Sequence, residues 1–305
     1  MAINSTGNVP STLWPGVKAF FGQYNKDWKA MHPALFDEVS SDKQYETYVQ
    51  MTGFPLAMQK NQGDAFTYVA NNQGFTYRLT NLAVGLGYIV THEEIEDNLY
   101  GKEAFDRAAM LARSMNLYKE FQAVALYNNA FSPSVTYADG VSLLNASHPT
   151  VGGGLQSNIL PVSSDLSEGA IEDLLVQIAG AQDDLGLPFH LQGVSLHIAR
   201  ANMFNAERIM KSVNRQGTAN NDINAMLAMR VLPKGIFMNP YFTNAGAWFI
   251  RTDVPAGKGL IYQVREGMSF EMANDSDTRN VKHTAYERYA FGAVDWRAIY
   301  GSNGP

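Results

Sequence analysis

The chain has 305 residues, 23 Lys and Arg against 29 Asp and Glu, a net charge of −6, and no cysteine. Missing thiols exclude disulfides, thiolate catalysis and cysteine-ligated metals, and the acidic balance excludes a general nucleic-acid binder, whose phosphate contacts need clustered Lys and Arg. No run approaches the ~18 apolar residues of a membrane span, and the start carries no signal-peptide pattern, so a cytosolic chain of about two domains, without a membrane partner, is expected.

Residues 1–40 scatter Trp14, Phe20, Phe21, Tyr24 and Trp28 between Pro10, Pro15 and Pro33. A short helix over 17–30 is expected there, without a sustained amphipathic stripe. Next comes a ribbon: residues 55–60, a turn at 61–64 containing Gly63, residues 65–70, a second turn signal at 71–74, and residues 75–80. Short runs bounded by Asn and Gly predict a hairpin. Phe75, Tyr77 and Leu79 share one face, whereas Leu82, Val84, Leu86, Tyr88 and Val90 continue the alternation on even numbers. One inserted residue near Thr80 and Asn81 predicts a bulge or bend. An isolated two-stranded ribbon is marginal in water, which predicts packing on another chain.

Thr91 with Glu94 forms a capping-box pattern. A first helical segment closes near Tyr100 and Gly101, and residues 102–129 run on without Gly or Pro, predicting a second segment of roughly 40 Å. Phe105, Ala108, Ala112 and Met115 form its stripe, widened by Leu111, Tyr118 and Ala125, with Lys102, Arg107, Arg113 and Lys119 mostly off it. Its length suits a spine along which other elements pack.

After a Ser-, Gly- and Asn-rich stretch, a capped helix is predicted over 167–185, a buried strand over 194–199, a helix over 203–212, a polar loop at 214–221 and a short helix over 222–229. Strands are predicted at 235–238, 247–251, 260–264, 268–272 and 282–291, the last two flanking an acidic turn at 274–277. Helices with mixed strands indicate an α+β architecture.

Motifs for chemistry fail on their own terms. His92, Glu93 and Glu96 begin a zinc-protease pattern but place Glu where the second His belongs. Gly257, Lys258 and Gly259 lack the rest of a phosphate loop. Gly85 and Gly87 lie in a strand pattern without a third glycine, which favours close approach of another backbone over a dinucleotide site. Gly193, Ser195 and His197 resemble a nucleophile elbow except that His replaces its final glycine. Asp275, Asp277 and Asn280 offer oxygen ligands, but a solvated turn explains them, and His148 is expected to make local hydrogen bonds in a loop. No enzyme activity, cofactor or metal is expected.

Taken in order, residues 86–100, 112–114, 127–131, 138–140, 147–150, 206–209, 217–225, 239–241, 248–255 and 287–292 resemble the major capsid proteins of tailed phages with the Hong Kong 97-type fold, most closely the Mu-like major head subunits. The resemblance implies an N-terminal arm (1–40), an extended loop region (41–85) laid over an adjacent subunit, a peripheral domain (86–165) with spine helix 91–129, an axial domain (166–255), strands returning to the peripheral domain (256–290) and a C-terminal segment (291–305). The polar loop at 214–221 would lie nearest the symmetry axis. It further implies self-association into hexamers and pentamers of an icosahedral shell that encloses double-stranded DNA without reading its sequence. A separate scaffolding protein, a portal protein and decoration or cement proteins would be the partners, with assembly in the bacterial host cytoplasm.

Trp14, Trp28, Lys60, Phe66, Tyr68, Phe75 and Tyr77 are the expected intersubunit contacts, because large aromatics often carry interface energy; the alternative is that some fill their own core. Some relatives cross-link through a lysine near the loop tip, where Lys60 lies, but a solvated lysine or an intersubunit ion pair is the simpler expectation. An encapsulin-like compartment of the same fold, and a serine hydrolase using Ser195 and His197, are the alternatives.

Overall fold

The computed structural model describes residues 9–97, 101–214 and 222–304, with side chains described from Val17 onward and not for 101–104. The elements in order are α1 (Val9–Asp27), α2 (His32–Leu35), β1 (Asp37–Ser40), β2 (Tyr45–Met51), β3 (Gln73–Thr80), β4 (Leu82–Val90), α3 (His92–Glu96) and α4 (Gly101–Asn128). Next are β5 (His148–Pro149), β6 (Leu155–Gln156), α5 (Glu168–Ala179), β7 (Gly193–Ala199), α6 (Met203–Lys211) and α7 (Ala225–Met229). The chain closes with β8 (Ile236–Asn239), β9 (Trp248–Thr252), β10 (Leu260–Asn274), β11 (Val281–Ala293) and β12 (Ile299–Ser302).

Two four-stranded sheets organise the chain, in the orders β1-β10-β11-β4 and β12-β9-β7-β8. In the first, the long β10–β11 hairpin is antiparallel, β4 adds to β11 antiparallel and β1 adds to β10 in parallel. α1 and α4 cover one face of it. Val17 and Phe21 of α1 meet Ala108, Leu111, Ala112 and Met115 of α4 over Val90, Phe270 and Ala285 of the sheet. Phe21 stacks on Phe270 at 4.6 Å between ring centres.

In the second sheet, β7 and β9 are buried almost throughout, Leu196, Ile198, Trp248, Phe249 and Ile250 supplying the apolar core while Ser195, His197, Arg251 and Thr252 are buried polar members. α5 starts because the Ser167 hydroxyl accepts from the Ala170 N–H. Its Ala170, Ile171, Leu174 and Ile178 form a buried stripe at three- and four-residue spacing. The same core takes in Tyr127 from the end of α4, so the spine reaches from one sheet to the other.

Several expectations change. Residues 55–60 and 65–70 form no strand; Pro55 lacks a donor, and neither limb has a strand partner among the described residues. The hairpin stem is instead β2 with β3, and β2 went unread because Tyr45, Thr47 and Val49 alternate on the exposed side. α1 is longer than the 17–30 expected, and its Val17, Phe21 and Tyr24 do make a stripe. Residues 37–40 pair as an edge strand rather than belonging to a free arm. α5 stops at Gly180 rather than 185, where Asp183 Oδ1 accepts from the N–H groups of Leu185 and Leu187 and turns the chain. The 260–264 and 268–272 strands are one strand with bulges, and β12 within the C-terminal segment was missed.

The bend foreseen near Thr80 is the point where the chain changes sheets. Asn81 is buried there, donating to Ser41 Oγ and the Lys43 carbonyl and accepting from Gln263 Nε2 at 2.8 Å. The capping reading of Thr91 also holds, since its hydroxyl accepts from the Glu94 N–H at 3.3 Å. Glu94 itself turns to Arg107, 2.6 Å away, and so ties α3 to α4.

Candidate assembly surface

The loop between β2 and β3 covers residues 52–72, longer than a structureless connection usually runs inside a compact domain. Its mouth is closed by Thr52, whose N–H donates to the Asn72 carbonyl at 3.0 Å and whose hydroxyl accepts from the Asn72 N–H at 3.1 Å. Its tip turns through residues 61–64, closed by the Asp64 N–H on the Asn61 carbonyl at 3.2 Å, with Gly63 at φ 90° where other residues are strained. Between these points every residue from 53 to 73 is exposed.

That exposure includes large apolar groups. Phe66 is 72% exposed and Tyr68 91%, and across from them Phe54, Leu56 and Met58 are also uncovered. Phe54, Pro55, Leu56 and Met58 on one limb face Thr67, Tyr68 and Val69 on the other across an open groove. Contiguous apolar surface of this kind marks an interaction site in a folded protein. Lys60 lies next to the tip, its Nζ 5.1 Å from the centre of the Phe66 ring, a cation–π contact.

The stem is fastened to its own subunit. Tyr48 donates to Gln263 Oε1 at 2.9 Å, while Tyr77 and Leu79 pack with Ile261 and Ala290 of the first sheet. Tyr77 stacks on Tyr137 at 5.8 Å, and burial raises its phenol pKa. Tyr77, expected at an intersubunit contact, is half-buried and packs within its own subunit at the stem. Phe75 is half-buried beside a bulge in β3, an intermediate case. Trp28 is half-buried past the end of α1, with its indole N–H unpartnered among the described residues. The side chain of Trp14, and the polar loop at 215–221, lie outside the described residues.

Leu56 and Met58 belong to the 55–60 run expected as a strand, and both stand exposed on the loop beside Phe54, which precedes that run. Met110, Tyr118 and Phe121 of α4 stand exposed, although Tyr118 was expected on the buried stripe. Conversely Lys119, expected off the stripe, is buried and paired with Glu287.

Chemistry elsewhere is structural. Ser195 Oγ and His197 Nε2 lie 2.8 Å apart, but both are buried inside the second sheet and His197 stacks on Phe237. Burial, helped by Arg251 and Lys234, lowers the His197 pKa to about 3, so the pair is a neutral core contact that no substrate reaches. Asp275 bonds Lys282 at 2.7 Å and accepts from the Asp277 N–H, which accounts for the acidic turn. Among the described residues no group of three metal-ligating side chains assembles, and no helix is long and apolar enough to cross a membrane. His148 is fully buried between Asp139 and Asn158 and stacked on Trp296, a local network within the loop region.

Residues 79–302 match a family model described as phage capsid protein. Comparison with curated proteins finds no match. Similar solved structures include the virus-like particle from Pyrococcus furiosus, with TM-score 0.55 and 11% identity over 94% of this chain and 98% of that one. The procapsid of bacteriophage JBD30 gives TM-score 0.55 and 15% identity over 98% and 76%, and the capsid of cyanophage P-SCSP1u gives 0.55 and 8% over 90% and 87%. At these identities the likeness is one of fold.

Proposed function

Because the chain belongs to the phage capsid protein family, has the Hong Kong 97-like fold and is a structural capsid subunit rather than an enzyme, we propose that its 52–72 loop is laid over an adjacent subunit. Many such overlaps would close hexamers and pentamers into an icosahedral shell. The observation that carries this reading is the run of exposed apolar side chains, Phe54, Leu56, Met58, Phe66 and Tyr68, on a loop that finds no cover among the described residues. Each contact is modest, but a subunit gripped by several neighbours gains from high effective concentration.

In the same reading the first sheet with α4 is the peripheral domain, and the second sheet with α5, α6 and α7 is the axial domain, its 214–221 loop nearest the axis. The residues before β1 serve as the arm, with Trp14 and Trp28 as its anchors. The enclosed double-stranded DNA is held without sequence-specific contacts, in keeping with a net charge of −6. A separate scaffolding protein, a portal, decoration proteins, assembly in the host cytoplasm and kinship with the Mu-like head subunits rest on the sequence resemblance.

Deleting residues 58–66 tests the proposal. The shortened subunit should fold, with an unchanged thermal transition, and should form no closed shells under conditions where the full chain does. Normal shells from the deletion would refute it.

A further inference from the structure

The loop leaves the body of the subunit at a defined junction, and its geometry points to the residues that aim it. Gln50, the penultimate residue of β2, donates from Nε2 to Asp184 Oδ2 at 2.6 Å. The other oxygen of Asp184 accepts from Arg297 Nη2 at 2.9 Å. Arg297 is 2% exposed, its Nε donates to the Gln182 carbonyl at 3.0 Å, its Nη2 also to Gln156 Oε1 at 3.0 Å, and its Nη1 lies 3.5 Å from Asp295 Oδ1. Asp184 thus cannot swing to follow the loop; it is held by a buried guanidinium belonging to the body.

The opposite limb meets the body at the same place. β3 carries a bulge where Val49 pairs with Thr76 but Met51 with Gln73. A Cβ on Gly74, in that bulge, would stand 3.1 Å from the Gln50 carbonyl and 3.3 Å from Val151, so only glycine seats comfortably against the 150–154 turn. A bulge re-aims the chain beyond it. Here it re-aims the loop about a point fixed on the other limb by the bond from Gln50.

We propose that Asp184, fixed by Arg297 and engaged by Gln50, is the positioning residue that sets the direction in which the 52–72 loop leaves the subunit, and thereby its reach onto a neighbouring copy. The inference rests on the intersubunit role of the loop argued above. Gln50 is half-buried and meets Asp184 through Oδ2, whereas Arg297 holds Oδ1, so a change at Gln50 removes the tie to the loop directly.

The test uses the full chain with Gln50→Leu, which keeps the bulk and removes the donor, and Gln50→Lys, which restores a donor to Asp184. Hydrogen exchange of residues 45–51 and 73–80 is read on the free subunit, and closed shells are counted by electron microscopy. Gln50→Leu should exchange about tenfold faster in the stem, the factor expected for losing a hydrogen bond to a charged group, with a thermal transition lowered by no more than a few degrees and few closed shells. Gln50→Lys should exchange and assemble like the parent. Unchanged exchange in Gln50→Leu, faster exchange with normal shells, or a Lys variant as defective as the Leu variant would each overturn the inference. Failure of the loop reading itself is separate, because it shows as normal shells from the 58–66 deletion whatever the exchange at Gln50.

Discussion

Lys119 Nζ lies 2.5 Å from Glu287 Oε2, with the two side chains 11% and 1% exposed, so the middle of the spine helix is locked to the middle of β11 by a nearly dry ion pair. Removing one partner of such a pair strands the other charge. Lys119→Met should cost about 3 kcal/mol, and the double change Lys119→Met with Glu287→Gln should recover most of it. Urea denaturation of these variants and of Glu287→Gln alone closes the cycle; a double loss equal to the sum of the two single losses would mean the pair carries no coupling.

The loop aromatics should behave oppositely. Phe66→Ser and Tyr68→Ser remove exposed groups, so subunit stability should stay within about 0.5 kcal/mol, while the yield of shells falls. Melting curves of the free subunit beside particle counts make the comparison.

Close approach of β4 to β11 gives a paired prediction. A Cβ on Gly87 would stand 2.7 Å from the His283 carbonyl, whereas one on Gly85 would stand 3.4 Å from the nearest atom, an ordinary contact. Gly87→Ala should destabilise by about 1–3 kcal/mol and Gly85→Ala should be near neutral. Denaturation midpoints of the two variants decide it.

Acid sensitivity follows from buried histidines. The His197 pKa is lowered to about 3 by burial and the nearby Arg251 and Lys234, and that of His283 to about 4 by burial. Both are depressed below the unfolded value of 6.5, so their contribution is fully present above that pH and is lost as pH falls toward 4 and then 3. Each loses up to about 1.4 kcal/mol per pH unit across its window. Glu287, whose pKa burial raises above 4.5, works in the other direction, contributing fully below 4.5 and losing that contribution as pH rises. Replacing Ser195 by Ala together with His197 by Phe should flatten the fall in stability between pH 6.5 and 4; an unchanged slope would show that His197 is not neutral in the fold.

Much of this was legible in the sequence because periodicity and caps are local. Thr91, Ser167 and the Ala108 to Met115 stripe announce their helices, and the change of face at Asn81 announces the passage between sheets. Burial that depends on distant partners was not legible. Lys119 reads as a surface charge until β11 supplies Glu287, and Tyr77 reads as an interface anchor until Tyr137 stacks beneath it. The 55–60 run with Leu56 and Met58 suits a strand pattern, yet a strand needs a partner, and none stands beside it among the described residues. The Gln50–Asp184–Arg297 chain spans most of the sequence, and no spacing rule joins its members.

The central claim is that residues 52–72 are covered by a second copy of the chain. The most direct measurement is a cryo-electron microscopy map of shells assembled from the full-length protein, resolved well enough to trace side chains. The account predicts Phe66 and Tyr68 packed against a neighbouring subunit, with Leu56 and Met58 also covered. A map with the loop folded onto its own subunit, or with these side chains facing solvent in a closed shell, would contradict it.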